Sequence, residues 1–215
     1  MLSKRIRRII RSIVLGLVVA TLLQVVAPLK TLTTSCVHVE QPRIIMDRSH
    51  LDSPLDDGAT YQQYKEREIA NRISDKVANI LINRGYSVTF TREYDKPISI
   101  NDRVQMAQRT DYDLYLSVHL NSCEIDGKGT GSEAYYNGSF ARMVGDAILK
   151  EITTKYDLQY RRNEETPYYT RRIPNSLLLE VGFINNNKDM SIILENEDAL
   201  AEIVANSIIE GFGVR

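Results

Sequence analysis

The sequence predicts an α/β fold: a three-layer sandwich in which a mostly parallel mixed sheet carries helices on both faces, preceded by one apolar N-terminal helix. Three observations predict it. Short apolar, β-branched runs of strand length recur along the chain. They alternate with amphipathic stretches of helical period, the pattern of βαβ units. The chain has 215 residues, 43% of them hydrophobic and 26% charged, which is one ordinary domain plus an extra segment.

The first element is an address. Lys4 to Arg11 are rich in cations, and residues 13–27 follow with only Thr21 and Gln24 as polar interruptions. At 1.5 Å per residue that run covers about 22 Å, short of a bilayer core of roughly 30 Å. Counted from residue 9 to 29, with Arg11 snorkelling, it approaches spanning length. A cationic start before an apolar run is shared by secretory signals and N-terminal anchors, and the positive end stays in the cytoplasm while the rest is delivered outside. Residues 1–29 are thus read as a membrane anchor or signal segment, residues 30–42 as a linker, and residues 43–215 as the folded domain. The linker carries His38, read as solvated, and Cys36, a candidate for lipidation or for pairing with Cys123 outside the cell.

The body follows in order. Residues 43–46 (Arg-Ile-Ile-Met) form a buried strand. Residues 47–65 are polar and too long for a plain βα turn, so they carry function. Residues 66–84 place Ile69, Ile73, Val77, Ile80 and Leu81 on one stripe, a helix closed by Gly85. Residues 86–91 are a strand. Ser99 and Asp102 open a helix to Arg109 as a capping box. Residues 114–118 are a third strand with Leu114, Leu116 and Val118 on one face, and residues 133–136 a fourth. Asn137-Gly138 then turns the chain into a helix capped by Ser139. Residues 177–181 are a buried strand, and residues 197–212 a last amphipathic helix.

Charge and cysteine count narrow the function. Net charge is -1, which speaks against a strongly basic nucleic-acid binder. The balance hides an asymmetry: residues 1–35 hold six cations and no acid, and the remainder carries 21 basic and 28 acidic side chains. Two cysteines make neither a disulfide framework nor a four-cysteine zinc site.

The chemistry rests on few residues. His50 follows the first strand, His119 stands at the end of the third, and Glu66 opens the helix after the first. In an open α/β sheet all three lie at the edge outside the carboxyl ends of the strands. Two imidazoles and a carboxylate are a ligand set for a catalytic zinc with one open position. The dull alternative for each is a hydrogen-bonded histidine or a helix-start glutamate meeting the dipole. Glu180 is a charge at the end of an apolar strand, costly to bury without a partner and suited to accept and return a proton. Asn121, in phase with His119, is a candidate substrate contact. Glu133 reads as a solvated strand residue, with a substrate contact as the alternative, and Arg171-Arg172 as a solvated basic pair, with a contact to acidic substrate groups as the alternative.

The wording of the segments goes further. Met46-Asp47-x-x-His50, Glu66-Arg67-Glu68-Ile69, Gly85-Tyr86-Ser87-Val88, Thr91-Arg92-x-x-Asp95, Asn101-Asp102-Arg103, the run Asp113 to Ser122, Gly131-Ser132-Glu133-Ala134-Tyr135-Tyr136 and the run Glu180 to Asn186 stand in the order they have in the zinc-dependent N-acetylmuramoyl-L-alanine amidases of bacterial cell walls, which residues 43–212 resemble. The resemblance implies one Zn2+ per chain on His50, Glu66 and His119, Glu180 as general acid/base, peptidoglycan as substrate, and an extracytoplasmic enzyme, membrane-anchored or secreted. Two departures stand out. The glycines that flank the family's first histidine are here Arg48, Ser49 and Leu51, so the loop turns differently and Arg48 brings a cation near the ligands. Pro174 precedes Glu180 by one residue more than the family pattern, which predicts a bulge or a shifted loop start. The competing reading is a non-catalytic cell-wall module of the same fold whose altered His50 loop holds no metal. A zinc peptidase or deacylase is a third.

Overall fold

The computed structural model describes residues 41–51 and 53–214. The segment 1–29 read as an anchor or signal, most of the linker, His38 and Cys36 lie outside the described residues. Among the described residues no helix is long and apolar enough to cross a membrane.

The elements in chain order are strands β1 (Arg43–Asp47), β2 (Thr60–Tyr61) and β3 (Tyr64–Lys65), helix α1 (Glu66–Asn83), β4 (Ser87–Phe90), α2 (Ile100–Arg109), β5 (Leu114–Asn121), β6 (Ser132–Asn137), α3 (Ser139–Lys155), β7 (Tyr160–Glu165), a 3-10 turn (Tyr169–Arg172), β8 (Ser176–Phe183), α4 (Asn187–Glu195) and α5 (Glu197–Gly213). Six strands form one sheet in the order β4-β1-β5-β8-β6-β7. Its pairings are parallel except β6 with β8. This is the mixed α/β architecture that the alternation of elements predicts.

Both faces of the sheet are covered. Ile44, Met46, Leu114, Leu116 and Val118 point into the larger core with Ile69, Ile73 and Val77 of α1, Val144 and Ile148 of α3 and Val204 of α5. The alternate residues Ile45 and Tyr115 meet Val104 and Ala107 of α2 on the other face. Strand period 2 sends successive side chains to opposite layers. Every residue of β8 is buried, which is why it reads as a continuous apolar run.

The structure corrects several boundaries. The strand holding His119 runs on to Asn121, and the one holding Glu180 runs on to Phe183, so both residues lie within strands rather than at their ends. Gly138, not Ser139, takes the cap position of α3, at φ 109 and with no side-chain cap. The bulge expected between Pro174 and Glu180 is absent from the pairing, which runs evenly from Tyr115–Ser176 to His119–Glu180; the β5–β8 register shifts only past Glu180, between His119 and Asn121. Strand β7, the 3-10 turn and α4 were not expected. The capping box of α2 is as predicted, with Ser99 Oγ accepting from the Asp102 N–H at 3.1 Å.

Candidate metal centre

Strand β1 ends at Asp47, and the next residues must turn sharply. His50 and Leu51 do so in the left-handed region, at φ 59 and 56. A non-glycine residue held there costs about 1–3 kcal/mol, so the missing glycines are replaced by restraint. Arg92 Nε donates to the Arg48 carbonyl at 3.1 Å and its Nη2 to the Ser49 carbonyl at 3.0 Å. Arg103 donates to the carbonyls of Arg48 and His50. Both guanidiniums are buried. Burial, then the neighbouring Arg103, pull Arg92 down to about 10, so it stays charged at neutral pH. The Leu51 side chain is buried, and its carbonyl accepts from the Ile98 N–H at 3.0 Å. Arg48 turns away from the centre: it pairs with Asp75 at 2.8 Å and lies over the Phe90 ring at 3.7 Å.

Glu66, the first residue of α1, is buried. Its Oε2 accepts from the Ala59 N–H at 2.8 Å and its Oε1 from the Leu120 N–H at 3.1 Å. The same Oε1 lies 2.7 Å from His50 Nε2 and 3.0 Å from His119 Nδ1. The two rings meet edge to face, 4.9 Å between centroids. Ligand atoms from His50, Glu66 and His119 all lie within 4.8 Å of one another. The structure therefore brings together the three side chains singled out in the sequence. The two histidines border a cavity of about 260 Å³, whose other lining residues are Asp56, Ile100, Arg103 and Tyr169.

The far nitrogens of the rings are also held. His50 Nδ1 faces Asp56 Oδ1 at 3.4 Å, and His119 Nε2 faces Ser117 Oγ at 3.0 Å. Such outer partners orient imidazole ligands. Burial pulls the His50 pKa down, but Glu66 and then Asp56 outweigh it and raise it above the ordinary value. Burial pushes the Glu66 carboxyl up, yet the hydrogen bonds and charges of His119 and His50 together hold it well below the usual carboxylate range.

Three features fit a divalent cation. His50 Nε2 is buried only 2.7 Å from Glu66 Oε1 but poorly aligned with it for a hydrogen bond, so two donor atoms of a metal-ligand set converge there. The donor set of imidazole and carboxylate suits zinc. Gly58, at φ 69, lies so close that a Cβ built there would stand 2.6 Å from both Glu66 Oε2 and His50 Nε2. Only a residue without a side chain leaves those two atoms free.

Glu180 is the register partner of His119 on the neighbouring strand, so the two project from one face about 4.8 Å apart. Its Oε2 is buried without a hydrogen-bond partner. Burial first, then the carboxylates of Glu66 and Glu133, push its pKa well above the ordinary carboxylate value.

Glu133 is a correction: it is buried, not solvated. It pairs in register with Glu180 and accepts from Asn121 Nδ2 at 2.9 Å, Tyr135 OH at 2.6 Å and Arg161. A shift of register beside Ser132 lets the successive residues Arg161 and Arg162 both pair with it. The Asn121 amide is thereby held by Glu133, while its Oδ1 accepts from the Ser122 N–H at 2.7 Å. Arg172 bonds Asn101 at 3.0 Å. Cys123 is a half-buried free thiol whose backbone bonds Asn185. Sequence reasoning missed Asp56 and Gly58 as neighbours of the centre and gave no task to Ser117 or Arg103.

Comparison with known proteins agrees with this architecture. The family described as N-acetylmuramoyl-L-alanine amidase matches residues 44–211. A sporulation-specific N-acetylmuramoyl-L-alanine amidase of Bacillus subtilis is 29% identical over 183 residues, covering 80% of this chain and 69% of the relative. The uncharacterized protein YqiI of the same organism is 25% identical over 177 residues, covering 79% of this chain and 84% of the relative. Among solved structures, the N-acetylmuramoyl-L-alanine amidase AmiC2 of Nostoc punctiforme superposes with a TM-score of 0.72 at 24% identity, over 80% of this chain and 97% of that one, a likeness of fold.

Proposed function

The chain belongs to the N-acetylmuramoyl-L-alanine amidase family, and from that premise we propose that it hydrolyses the amide bond between N-acetylmuramic acid and L-alanine in peptidoglycan, with one zinc ion held by His50, Glu66 and His119. The observation that carries this reading is the convergence of their ligand atoms within 4.8 Å, with Glu180 beside them in register. The competing reading of a non-catalytic wall-binding module needs a His50 loop that has lost the centre. Against it stands His50 Nε2, which lies 2.7 Å from Glu66.

Each side chain has a task. His50 and His119 offer neutral imidazole nitrogens, and Glu66 brings the negative charge. Zinc, when bound, supplies Lewis acidity that polarises the amide carbonyl and acidifies water. Glu180 takes the proton of the attacking water at its Oε2 and returns it to the departing L-alanine amine. Its raised pKa suits a carboxyl that must hold a proton near neutral pH. Asn121, steadied by Glu133 and by the Ser122 N–H, contributes a substrate contact at the rim. The substrate lies outside the cytoplasm, and residues 1–29 deliver the domain there, as an anchor or as a secretory signal.

Mass spectrometry of digested sacculi tests the reading. The expected products are stem peptides with a free L-alanine amine and glycan with a free lactyl carboxyl. Cleavage within the stem peptide, or loss of acyl groups alone, would assign a peptidase or a deacylase instead.

A further inference from the structure

We propose that β7 is a self-recognition edge: two copies of this chain join there about a two-fold axis through Asn163, their β7 strands antiparallel, with Arg162 of each copy facing Glu164 of the other. The pairing does not depend on the amidase reading.

Strand β7 closes the sheet at one end, and among the described residues no strand pairs with its outer side. An open edge offers a row of unpaired N–H and C=O groups to another chain. Their direction follows from the inner neighbour. The Thr166 N–H, one residue past β7, donates to the Tyr136 carbonyl of β6 at 2.9 Å. Alternate residues of a paired strand turn their backbone groups to opposite sides, so residues 162 and 164 face β6 while Asn163 and Glu165 face outwards.

Charge then selects the register. The strand reads Tyr160-Arg161-Arg162-Asn163-Glu164-Glu165 and is exposed except for the half-buried Asn163. Charged side chains on an edge commonly keep copies apart. Here the sign reverses at Asn163, so an antiparallel copy presents acids to bases. Arg162 and Glu164 share a face, that of their β6 partners Glu133 and Tyr135. Centred on Asn163, the pairing sets Arg162 against Glu164 of the second copy two times over, in the pair type whose Cα atoms are only about 4.5 Å apart. Asn163 and its image exchange both backbone hydrogen bonds. The neighbouring registers that keep the faces matched set Arg162 against Arg162 or Glu164 against Glu164, and like charges directly opposite are destabilising. A slip by one residue mismatches the faces.

Both side chains are available for this. Arg162 and Glu164 touch each other within one chain at 3.2 Å, 43% and 50% exposed. A pair so exposed contributes little, so exchanging it for cross-strand pairs costs little. Arg162 also pairs with Glu133 at 3.4 Å, which keeps its head on this face. On the opposite face, Tyr160 and Met143 of α3 are exposed apolar side chains. With Arg142, Asp146 and Asn163 they line a cavity of about 260 Å³ between β7 and α3. Asn163 lies on the axis, so this cavity abuts its own image, and the joined edge has an apolar flank opposite the ionic one. A contact of this size belongs to the weak class of interfaces, and the dimer is expected to depend on concentration.

Thiol trapping in the full chain, in detergent solution, tests the register. Cys36→Ser and Cys123→Ser remove the native thiols; one chain then carries Arg162→Cys and another Glu164→Cys. In the proposed pairing the two introduced sulfurs stand on directly opposite residues, close enough for a disulfide, and the other Arg162–Glu164 pair stays in place. Either variant alone sets its thiol diagonally from its own image, about 7–8 Å away, at or beyond the reach of a disulfide. On mild oxidation the mixture is expected to give a cross-linked dimer, and each variant alone at least about fivefold less. Adding Glu164→Arg to the Arg162→Cys chain opposes two guanidiniums and is expected to lower the yield about threefold or more. Both positions are exposed, and melting curves matching wild type check that the variants fold. No cross-linked product from the mixture, as much from a single variant, or a yield untouched by Glu164→Arg overturns the proposal.

Discussion

Replacing Glu180 by glutamine is expected to slow the reaction while making the zinc-free protein more stable. The exchange keeps shape and removes the ionisable group. General acid–base catalysis by a positioned side chain contributes roughly 10²–10⁴-fold, which corresponds to about 3–5 kcal/mol of barrier. The stability effect comes from the surroundings: Glu180 is buried in β8, its Oε2 has no hydrogen-bond partner, and Glu66 and Glu133 are its charged neighbours. Its folded pKa lies above the ordinary 4.5, so the native state binds this proton more tightly than the unfolded chain does. Stability contributed at this position therefore falls as pH rises above about 4.5, by about 1.4 kcal/mol per unit, until the folded carboxyl itself titrates. Glutamine has no such slope. Guanidinium unfolding of metal-stripped wild type and Glu180→Gln at a series of pH values reads the difference, and release of free amines from purified peptidoglycan reads the rate. The variant should bind zinc as wild type does. A Glu180→Gln protein that retains amidase activity within about threefold, or whose stability advantage does not grow with pH, would refute the reasoning.

Other outcomes follow from the same geometry. Gly58→Ala should cost zinc affinity by at least about tenfold, because the added Cβ meets His50 Nε2 and Glu66 Oε2 at 2.6 Å in a left-handed turn and outer perturbations of that size are typical of ligand support; chelator competition measures it. Burial raises the Asp47 carboxyl, but Arg103 and then the Thr91 and Tyr169 hydroxyls outweigh it; the folded pKa of about 2 lies below the ordinary 3.8, so its stabilisation is complete above about pH 4 and is lost between there and about pH 2. That is about 2 kcal/mol, seen as the loss of wild-type stability relative to Asp47→Asn on acidification; an unchanged gap contradicts it. Chelation should lower the melting temperature, since zinc at a hundredfold excess over its Kd adds about 2.7 kcal/mol to the folded state.

Much of the framework was legible because it is periodic. The apolar stripe of α1 and the alternation in β5 follow from helix and strand geometry, and the edge at which His50, Glu66 and His119 meet follows from parallel strands with helical crossovers. What escaped had no period to read. Strand β7 reads Tyr-Arg-Arg-Asn-Glu-Glu and is exposed along almost its whole length; it pairs only as an edge beside β6. Helix α4 begins on an asparagine cap, where Asn186 Oδ1 accepts from the Lys188 and Asp189 N–H groups. Its short stripe of Met190 and Ile193 gives little signal. The supports of the centre join residues far apart in the chain, Asp47 with Arg103 and Asp47 with Ser117, and no local pattern encodes such pairs. The turn at His50 and Leu51 is instructive: lost glycines read as a threat to the loop, whereas buried arginines from other elements hold it in place.

Titration calorimetry of zinc into chelator-stripped protein tests the central claim most directly. Wild type should bind about one equivalent, and His119→Ala or Glu66→Ala should abolish that site while the fold survives. Absence of a saturable site in wild type, or an undiminished one in both variants, would contradict the account.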